Sequence, residues 1–417
     1  MTTKNLPMAK LSGTVRILSS KSDGQRALLC AALSNGISRI KNSGSSKDVL
    51  DMLEVIQQMG AIVEKTRPNE LKIQGTQKFP LKETFSVGES GLGMRLIVPI
   101  CAAHTGEFII TGEGSILKRT HNFFIQELPA FGVDVSSQNG FPPIQIIGKM
   151  QAGNHVVDGI QSSQFISGLL LALPLLEGDS ILKVDDLVSK SYVQMTLNTL
   201  EKFGVKINTM GGSKFSVKGS QSFISCDYQV ESDWSSASYW LVASALGHDV
   251  KISNLNKLSD QPDKKIVEIF EQATCSIETT DEIITINGFE RIPFTCDLKD
   301  CPDLFPALTV LAAFCPGKSV IKGAGRLKNK ESDRGLALQS ELGKLGVEIE
   351  LLDDEMIIHG QNELKSSIVK SHGDHRIAMS LAIAGTFIEG GLKIEHPEVV
   401  SKSYPEFWQD LEGLTIR

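Results

Sequence analysis

Several features are scarce in this 417-residue chain, and each scarcity removes a class of protein. No apolar run approaches the ~20 residues that span a bilayer; the longest lies near Leu169–Leu176. The N-terminal segment lacks the apolar stretch that directs export, so no membrane association and a cytoplasmic location are expected. The seven cysteines are odd in number, contain no Cys-x-x-Cys pair and make no tight cluster with histidine. Cys296 and Cys301, the closest two, read as ordinary thiols of a reducing compartment. Disulfide scaffolds and zinc modules are thereby set aside. Positive charge is also in deficit, with 42 Lys and Arg against 49 Asp and Glu, a net −7. That argues against a nucleic-acid partner but permits a local basic pocket.

What is present is ordinary globular composition, 41% apolar and 22% charged. The length is about twice that of a single domain, so two domains are expected. An internal period organises them. An amphipathic run, a glycine and a short alternating strand recur at MLEVIQQMGAIVE (Gly60), FFIQELPAFGVDV (Gly132), TLNTLEKFGVKI (Gly204) and ALQSELGKLGVEIE (Gly346). A weaker copy puts Thr274 in the glycine slot, and the tail FWQDLEGLTI ends with Gly413. The spacings are 72, 72, 70, 72 and 67 residues, so six units account for the chain. Leu53, Ile56 and Met59, or Leu197, Leu200 and Phe203, form one buried helical stripe. Glycine past the last turn accepts the left-handed cap conformation, and alternation then suits a strand.

A second phrase precedes this one in every unit. QRALLCAAL, GMRLIVPICAA, SQFISGLLLALPLL, SSASYWLVASAL, LFPALTVLAAFC and HRIAMSLAIAGTF are apolar nearly all round and must be buried. Each follows a polar cluster: SSKSDG, GESG, GIQSS, ESDW, DCPD or SHGD. The expected fold is therefore α/β, with two similar domains, each of three repeats whose buried helices run parallel. Counting repeats gives an N-terminal domain over 14–227 and a C-terminal domain over 1–13 and 228–417. The first thirteen residues would lend a strand to the latter. Helix N-termini gathered at one surface carry unpaired N–H groups and partial positive charge, which favour anions. Two such surfaces facing each other would make an anion-binding cleft that closes over its ligand.

The clusters supply suitable residue types. Lys21, Ser22 and Arg26 stand at the first helix mouth, and Gly91 at the second allows close backbone approach. Ser162, Ser163 and Gln164 offer hydroxyl and amide donors; Ser189, Lys190, Ser191 and Tyr192 form a similar group. Asp303 opens the fifth buried helix, and Asp374-His375-Arg376 the sixth. Lys330 and Arg334 are four apart in KESDR, which reads as a helix start with both cations on one face. Arg119 and Lys402 fall in loops. Taken singly, a serine pair or an aspartate before a helix is most often a cap, and KESDR a solvated helix start.

Together the segments SKSDGQRAL, SSQF, VSKSYVQMTL, VESDWSSASYW, CPDLFPAL, NKESDR, GDHRIAMS and SKSYPEFW resemble the enolpyruvyl transferase family, shikimate branch, in family order along nearly the whole chain. The resemblance implies three βαβαββ units per domain, an inverse α/β barrel-like arrangement, and an active site in the interdomain cleft. It implies transfer of the enolpyruvyl group of phosphoenolpyruvate to the 5-hydroxyl of shikimate 3-phosphate, releasing phosphate, with no cofactor and no metal. The expected partners are those two substrates, and the chain is expected to act as a monomer. By matched motif, Ser162, Ser163 and Ser189 would hold the shikimate phosphate. Gln164 would pack on its ring, Ser22 and Arg26 would lie near its hydroxyls or carboxylate, and Asp303 and Lys330 would bind the ring hydroxyls. Lys21, Gly91, Arg119, Gln164, Arg334, Arg376 and Lys402 would hold phosphoenolpyruvate, Lys21 also touching the acceptor. Asp303 is assigned as base at the hydroxyl, with Glu331 and Lys21 as candidates for proton transfer at the methylene carbon.

The physical demands match those residue types. The substrates together bring about six negative charges, and each close like-charge pair costs about 4 kcal/mol at an effective dielectric near 20. Arginine answers with bidentate donors to carboxylate and phosphate. Some positions depart from the family pattern: Glu89 for Asn, Leu92 for Thr, Leu96 for Pro, and Arg326 for Asn. A carboxylate beside a phosphate is unfavourable, so Glu89 is expected to turn outward or meet a cation. Two rivals stand against this reading. The sister branch, UDP-N-acetylglucosamine 1-carboxyvinyltransferase, usually has a catalytic Cys or Asp where this chain has GEGSILKRTHN, which contains neither. A non-catalytic anion-binding clamp is opposed by the intact Lys21, Asp303, Glu331 and Lys402. His372 and His375 lack a third ligand in the sequence and are read as part of the helix-mouth loop.

Overall fold

The computed structural model describes residues 2–160, 162–272, 276–280, 283–287 and 290–416. Thr274, and Gln161 of the third polar cluster, lie outside the described residues. The chain divides into two compact units, an N unit over Ser19–Glu231 and a C unit over Met1–Leu18 with Ser232–Arg417. These divides fall a few residues after those expected from counting repeats, and the pairing of strands explains the shift. Strand Ser12–Arg16 runs parallel to Asp249–Ser253 of the C unit, while Asp227–Gln229 runs parallel to Ile37–Lys41 of the N unit.

Twelve α-helices are described: α1 (Lys21–Leu33), α2 (Lys47–Gln58), α3 (Gly91–Ala102), α4 (Asn122–Glu127), α5 (Ser163–Ala172), α6 (Lys190–Lys202), α7 (Trp234–Ala245), α8 (Ile266–Gln272), α9 (Phe305–Ala313), α10 (Arg334–Lys344), α11 (His375–Gly385) and α12 (Phe407–Leu414). The odd-numbered helices are the apolar ones; every residue of α7, α9 and α11 is buried. Even-numbered helices bury one stripe, as α2 does with Val49, Met52, Val55 and Ile56. Each unit has its own apolar core around its odd-numbered helices.

Five four-stranded sheets repeat one order. The first strand pairs with the second, the second with the fourth, and the fourth with the third. In the second repeat, Lys82–Ser86 lies parallel to Glu107–Thr111 across α3. Phe141–Ile147 then pairs antiparallel with both Glu107–Thr111 and Asp134–Gln138. A parallel pair needs a crossover, and the buried helix is that crossover; the hairpin that follows needs only a turn. This is the βαβαββ order. The first repeat takes its opening strand from Asp227–Gln229 and the fourth takes its own from Ser12–Arg16. In the sixth, Thr3–Leu6 pairs antiparallel with Leu392–Glu395, so the first residues complete two sheets of the C unit.

Gly60, Gly132, Gly204 and Gly346 all have φ between +79° and +103°, the left-handed region in which a side chain is strained. Gly413 differs from the expectation. It lies inside α12, and Thr415 just beyond the helix makes a bridge with Leu11.

Candidate active site

Within each unit, side chains at the starts of different helices bond to one another, so those starts share a surface. In the N unit, Lys21 at the mouth of α1 bonds to Asp48 of α2 at 2.9 Å. Arg26, one turn on, is fully buried. Its Nε donates to Thr196 Oγ1 at 2.8 Å, Nη1 to the Ser22 carbonyl at 2.8 Å and Nη2 to the Tyr192 carbonyl at 3.3 Å. Arg26 thus ties α1 to α6 and braces Ser22. These bonds fix the guanidinium beside Ser22 at the mouth of α1.

Ser90 caps α3 through Gly93 N–H and donates to Gln25 of α1. Gly91 follows it, and a Cβ there would stand 2.9 Å from Arg119 Nη1 and 3.1 Å from Arg95 Nη1. The missing side chain leaves the α3 start open beside two guanidinium groups. Arg95 Nη1 also donates to Gln164 Oε1 at 2.7 Å, joining α3 to the first turn of α5. Ser162 is the cap of α5, accepting from Phe165 N–H; Ser163 is buried beside it. Ser189, buried at the mouth of α6, has φ +52° and makes no capping bond through its side chain. Glu89 accepts from the N–H and hydroxyl of Ser115 at 2.9 and 2.7 Å. It sits at the start of the turn Gly114–Lys118 that leads to Arg119, where a helical N-terminus favours a carboxylate.

The C unit gathers the opposite mixture. Asp303 lies in the turn Pro302–Leu304 ahead of α9, and α9 has no side-chain cap. Its carboxylate goes elsewhere. Oδ1 accepts from Arg334 Nη1 at 2.8 Å and Lys330 Nζ at 3.5 Å; Oδ2 accepts from Arg376 Nη2 at 2.9 Å. Burial pushes the Asp303 pKa up, but Arg376, Lys330 and Arg334 outweigh it and hold the carboxyl well below its usual range. Arg334, 1% exposed, also donates to Glu331 at 2.7 Å and Asp374 at 2.8 Å. Although burial opposes its charge, Asp374, Glu331 and Asp303 raise its pKa further. Lys402 Nζ stands 3.9 Å from Glu331. Arg376 additionally bonds to the Ser235 hydroxyl and lies 3.4 Å from Tyr239 Oη, both on α7.

Three features of this cluster were not legible in the motifs. Lys330 does not share a helix face with Arg334, because α10 begins at Arg334 with Asp333 as its cap; the two cations meet through Asp303 instead. Burial first, then Arg334 and Arg326, pushes the Lys330 ammonium down to about 8 against the pull of Asp303 and Glu331, giving Arg326 a part the sequence did not suggest. Asp263 was missed altogether. Burial, then the Asp303 charge, pushes its carboxyl up to about 7 against the pull of Arg376. Asp374, a cap on sequence grounds, does cap α11 through Arg376 N–H and also receives Arg334.

Among the described residues, no group of three or more His, Cys, Asp or Glu is arranged to hold a metal ion. His372 bonds to Glu341 at 2.7 Å instead. No described helix is long and apolar enough to cross a membrane.

Two units of βαβαββ repeats, each collecting charged and hydroxyl side chains where its helices begin, define the class: an α/β repeat protein with polar clusters at helix mouths. Sequence comparison narrows it. The model of the family described as EPSP synthase (3-phosphoshikimate 1-carboxyvinyltransferase) matches residues 6–411, and the chain belongs to that family. A curated relative from Clostridium kluyveri, named 3-phosphoshikimate 1-carboxyvinyltransferase, is 39% identical over 407 residues, covering 97% of this chain and 95% of its own. A namesake from Clostridium perfringens is 39% identical over 410 residues, with 97% and 96% covered. The solved EPSP synthase of Acinetobacter baumannii superposes with a TM-score of 0.80 at 26% identity, covering 99% of this chain and 98% of that one. The enolpyruvyl transferase NikO of Streptomyces tendae shares the fold, at TM-score 0.80 and 16% identity.

Proposed function

We propose that this chain transfers the enolpyruvyl group of phosphoenolpyruvate to the 5-hydroxyl of shikimate 3-phosphate, giving 5-enolpyruvylshikimate 3-phosphate and phosphate on the route to aromatic amino acids. The observation that carries the reading is Asp303: a carboxylate at a helix mouth, capping nothing and kept ionised by Arg334, Arg376 and Lys330. An ionised carboxylate at neutral pH can accept the hydroxyl proton as the oxygen bonds to C2 of phosphoenolpyruvate. Its low basicity is sufficient, because protonation at C3 makes C2 strongly electrophilic and the attacking hydroxyl correspondingly acidic. Glu331 and Lys21 are the candidate donors at C3. The tetrahedral adduct then loses phosphate as the C3 proton returns.

In this reading the two clusters serve one turnover. Ser162, Ser163 and Ser189 take the shikimate phosphate, with Ser22, Gln164 and Lys330 along the ring. Lys21, Arg119, Gln164, Arg334, Arg376 and Lys402, with the backbone at Gly91, take phosphoenolpyruvate. Arg26 lies with Ser22 near the ring hydroxyls or carboxylate, tied to α6 through Thr196 and Tyr192. Arg334 reaches three carboxylates, so an anion bound there shares its donors with Asp303, Glu331 and Asp374.

The test is phosphate release with phosphoenolpyruvate and each acceptor in turn. Release with shikimate 3-phosphate and none with UDP-N-acetylglucosamine is the expected result. The reverse pattern identifies the sister activity, and tight binding of both substrates without release identifies a clamp.

A further inference from the structure

We propose that Arg95 is a positioning residue. Its guanidinium sets which way the Gln164 amide faces and so presents the NH2 end of that amide to phosphoenolpyruvate. The inference rests on the substrate role proposed above for Gln164; Arg95 itself belongs to none of the motifs that carried the family resemblance to the site.

The geometry begins with two glycines. A Cβ on Gly168 of α5 would collide with the backbone carbonyl of Arg95, so α3 and α5 approach backbone to backbone at that level. Gln164 lies one turn before Gly168, on the same face of α5. The close approach brings Arg95 Nη1 to 2.7 Å from Gln164 Oε1. The Arg95 guanidinium carbon also lies 5.7 Å from the centre of the Phe123 ring, and Nη1 lies 3.5 Å from the Gly91 carbonyl oxygen. Aromatic face and carbonyl both favour a cation held there.

A guanidinium has donors and no acceptor, so the end of the amide that meets it must be the oxygen. Gln164 is thereby committed. Its two remaining N–H donors form the end available to a ligand, and rotating the amide would set donors against donors. For an anion the distinction matters, because the NH2 end attracts it and the carbonyl end repels it. The position of Arg95 separates this from an ordinary interhelix tie. The same Nη1 stands 3.1 Å from where a Gly91 Cβ would be, at the start of α3, and Arg119 Nη1 stands 2.9 Å from that point.

The experiment is steady-state phosphate release by the full chain and by Arg95→Met, Gln164→Ala, the double variant and Arg95→Lys. Methionine keeps an unbranched apolar chain over Phe123 while removing the donors. Thermal melting of each ligand-free protein provides the control for folding. Arg95→Met is expected to raise the KM for phosphoenolpyruvate about tenfold or more, with a smaller change in kcat and the KM for shikimate 3-phosphate held within about twofold. Gln164→Ala is expected to do the same, and the double variant to be no worse than Gln164→Ala alone, within about twofold. Lysine, which also only donates, should recover part of the loss, and it serves the same comparison if the methionine variant melts early. Effects that multiply in the double variant, an Arg95→Met KM within about twofold of the unsubstituted protein, or both KM values rising together overturn the proposal. Turnover combined with any of these results overturns this proposal alone. Absence of turnover in the unsubstituted protein overturns it together with the function on which it rests.

Discussion

Arg334 in the C unit bonds to Glu331, Asp303 and Asp374, three carboxylates, whereas Arg26 in the N unit bonds only to neutral oxygens of Ser22, Tyr192 and Thr196. Both arginines are fully buried near the start of a helix in the same repeating architecture. The C-unit cluster interlocks its charges and keeps Asp303 ionised. The N-unit cluster offers hydroxyls, an amide and helix starts, with Arg95 bonded to an amide oxygen. One repeat therefore supports two electrostatic designs, one suited to holding a carboxylate base and the other to receiving anions. What differs is a handful of side chains in the loops before the helices, while sheet order and helix burial are shared.

The largest expected effect comes from breaking the C-unit design at its centre. Asp303→Asn removes the proposed base while keeping the shape, and kcat should fall about 10²–10⁴-fold, read by phosphate release. Calorimetry should still detect binding of shikimate 3-phosphate; unchanged turnover would remove Asp303 from the chemistry. Next, Arg334→Met leaves Asp374, Asp303 and Glu331 without their shared partner. Loss of one member of a buried ionic cluster costs about 3–5 kcal/mol, so urea unfolding should show the C unit weakened by that order. Arg26→Met, its counterpart, should cost less, because the groups it leaves behind are neutral.

A third prediction sharpens the contrast through pH. The Asp263 carboxyl titrates near 7 in the folded protein, above its ordinary unfolded value, so between about pH 4 and 7 the folded state binds the extra proton. Stability from this group is therefore present at low pH and lost as pH rises toward 7. The loss is on the order of 2 kcal/mol between pH 5 and 8. Asp263→Asn should flatten that slope, and parallel curves for the two proteins would refute the assignment. The smallest effect belongs to the N unit. Gly91→Ala places a methyl group against Arg119 and Arg95, flexible side chains that can shift, so the KM for phosphoenolpyruvate should rise only several-fold, on the order of 1 kcal/mol.

Sequence periodicity carried the architecture because burial and left-handed caps leave local marks. Gly60, Gly132, Gly204 and Gly346 stand at a nearly constant interval, and the apolar helices between them have nowhere to go but inside. The period faded where its physical cause did. Gly413 sits within α12, which runs on to Leu414 before Thr415 bridges to Leu11. The domain divides likewise shifted by a few residues, because a strand's partner is not written in its own segment: Ser12–Arg16 and Asp227–Gln229 each complete a sheet begun elsewhere.

The site was legible in residue types and illegible in partners. Lys21, Asp303, Glu331, Arg334 and Arg376 stand out by motif, yet Asp48, Asp263 and Asp374 as charge partners do not, nor does Arg95 beside Gln164, 69 residues away. Arg26 shows the limit most clearly, since nothing in its motif announces Thr196, 170 positions later, to which it donates. Local steric and hydrophobic preferences, which act over a few neighbours, were enough to specify the repeats, their buried helices and the residue types at each helix mouth. Electrostatic roles depend on distance through space, so only the folded chain could decide which cations are committed to carboxylates and which face neutral donors and acceptors.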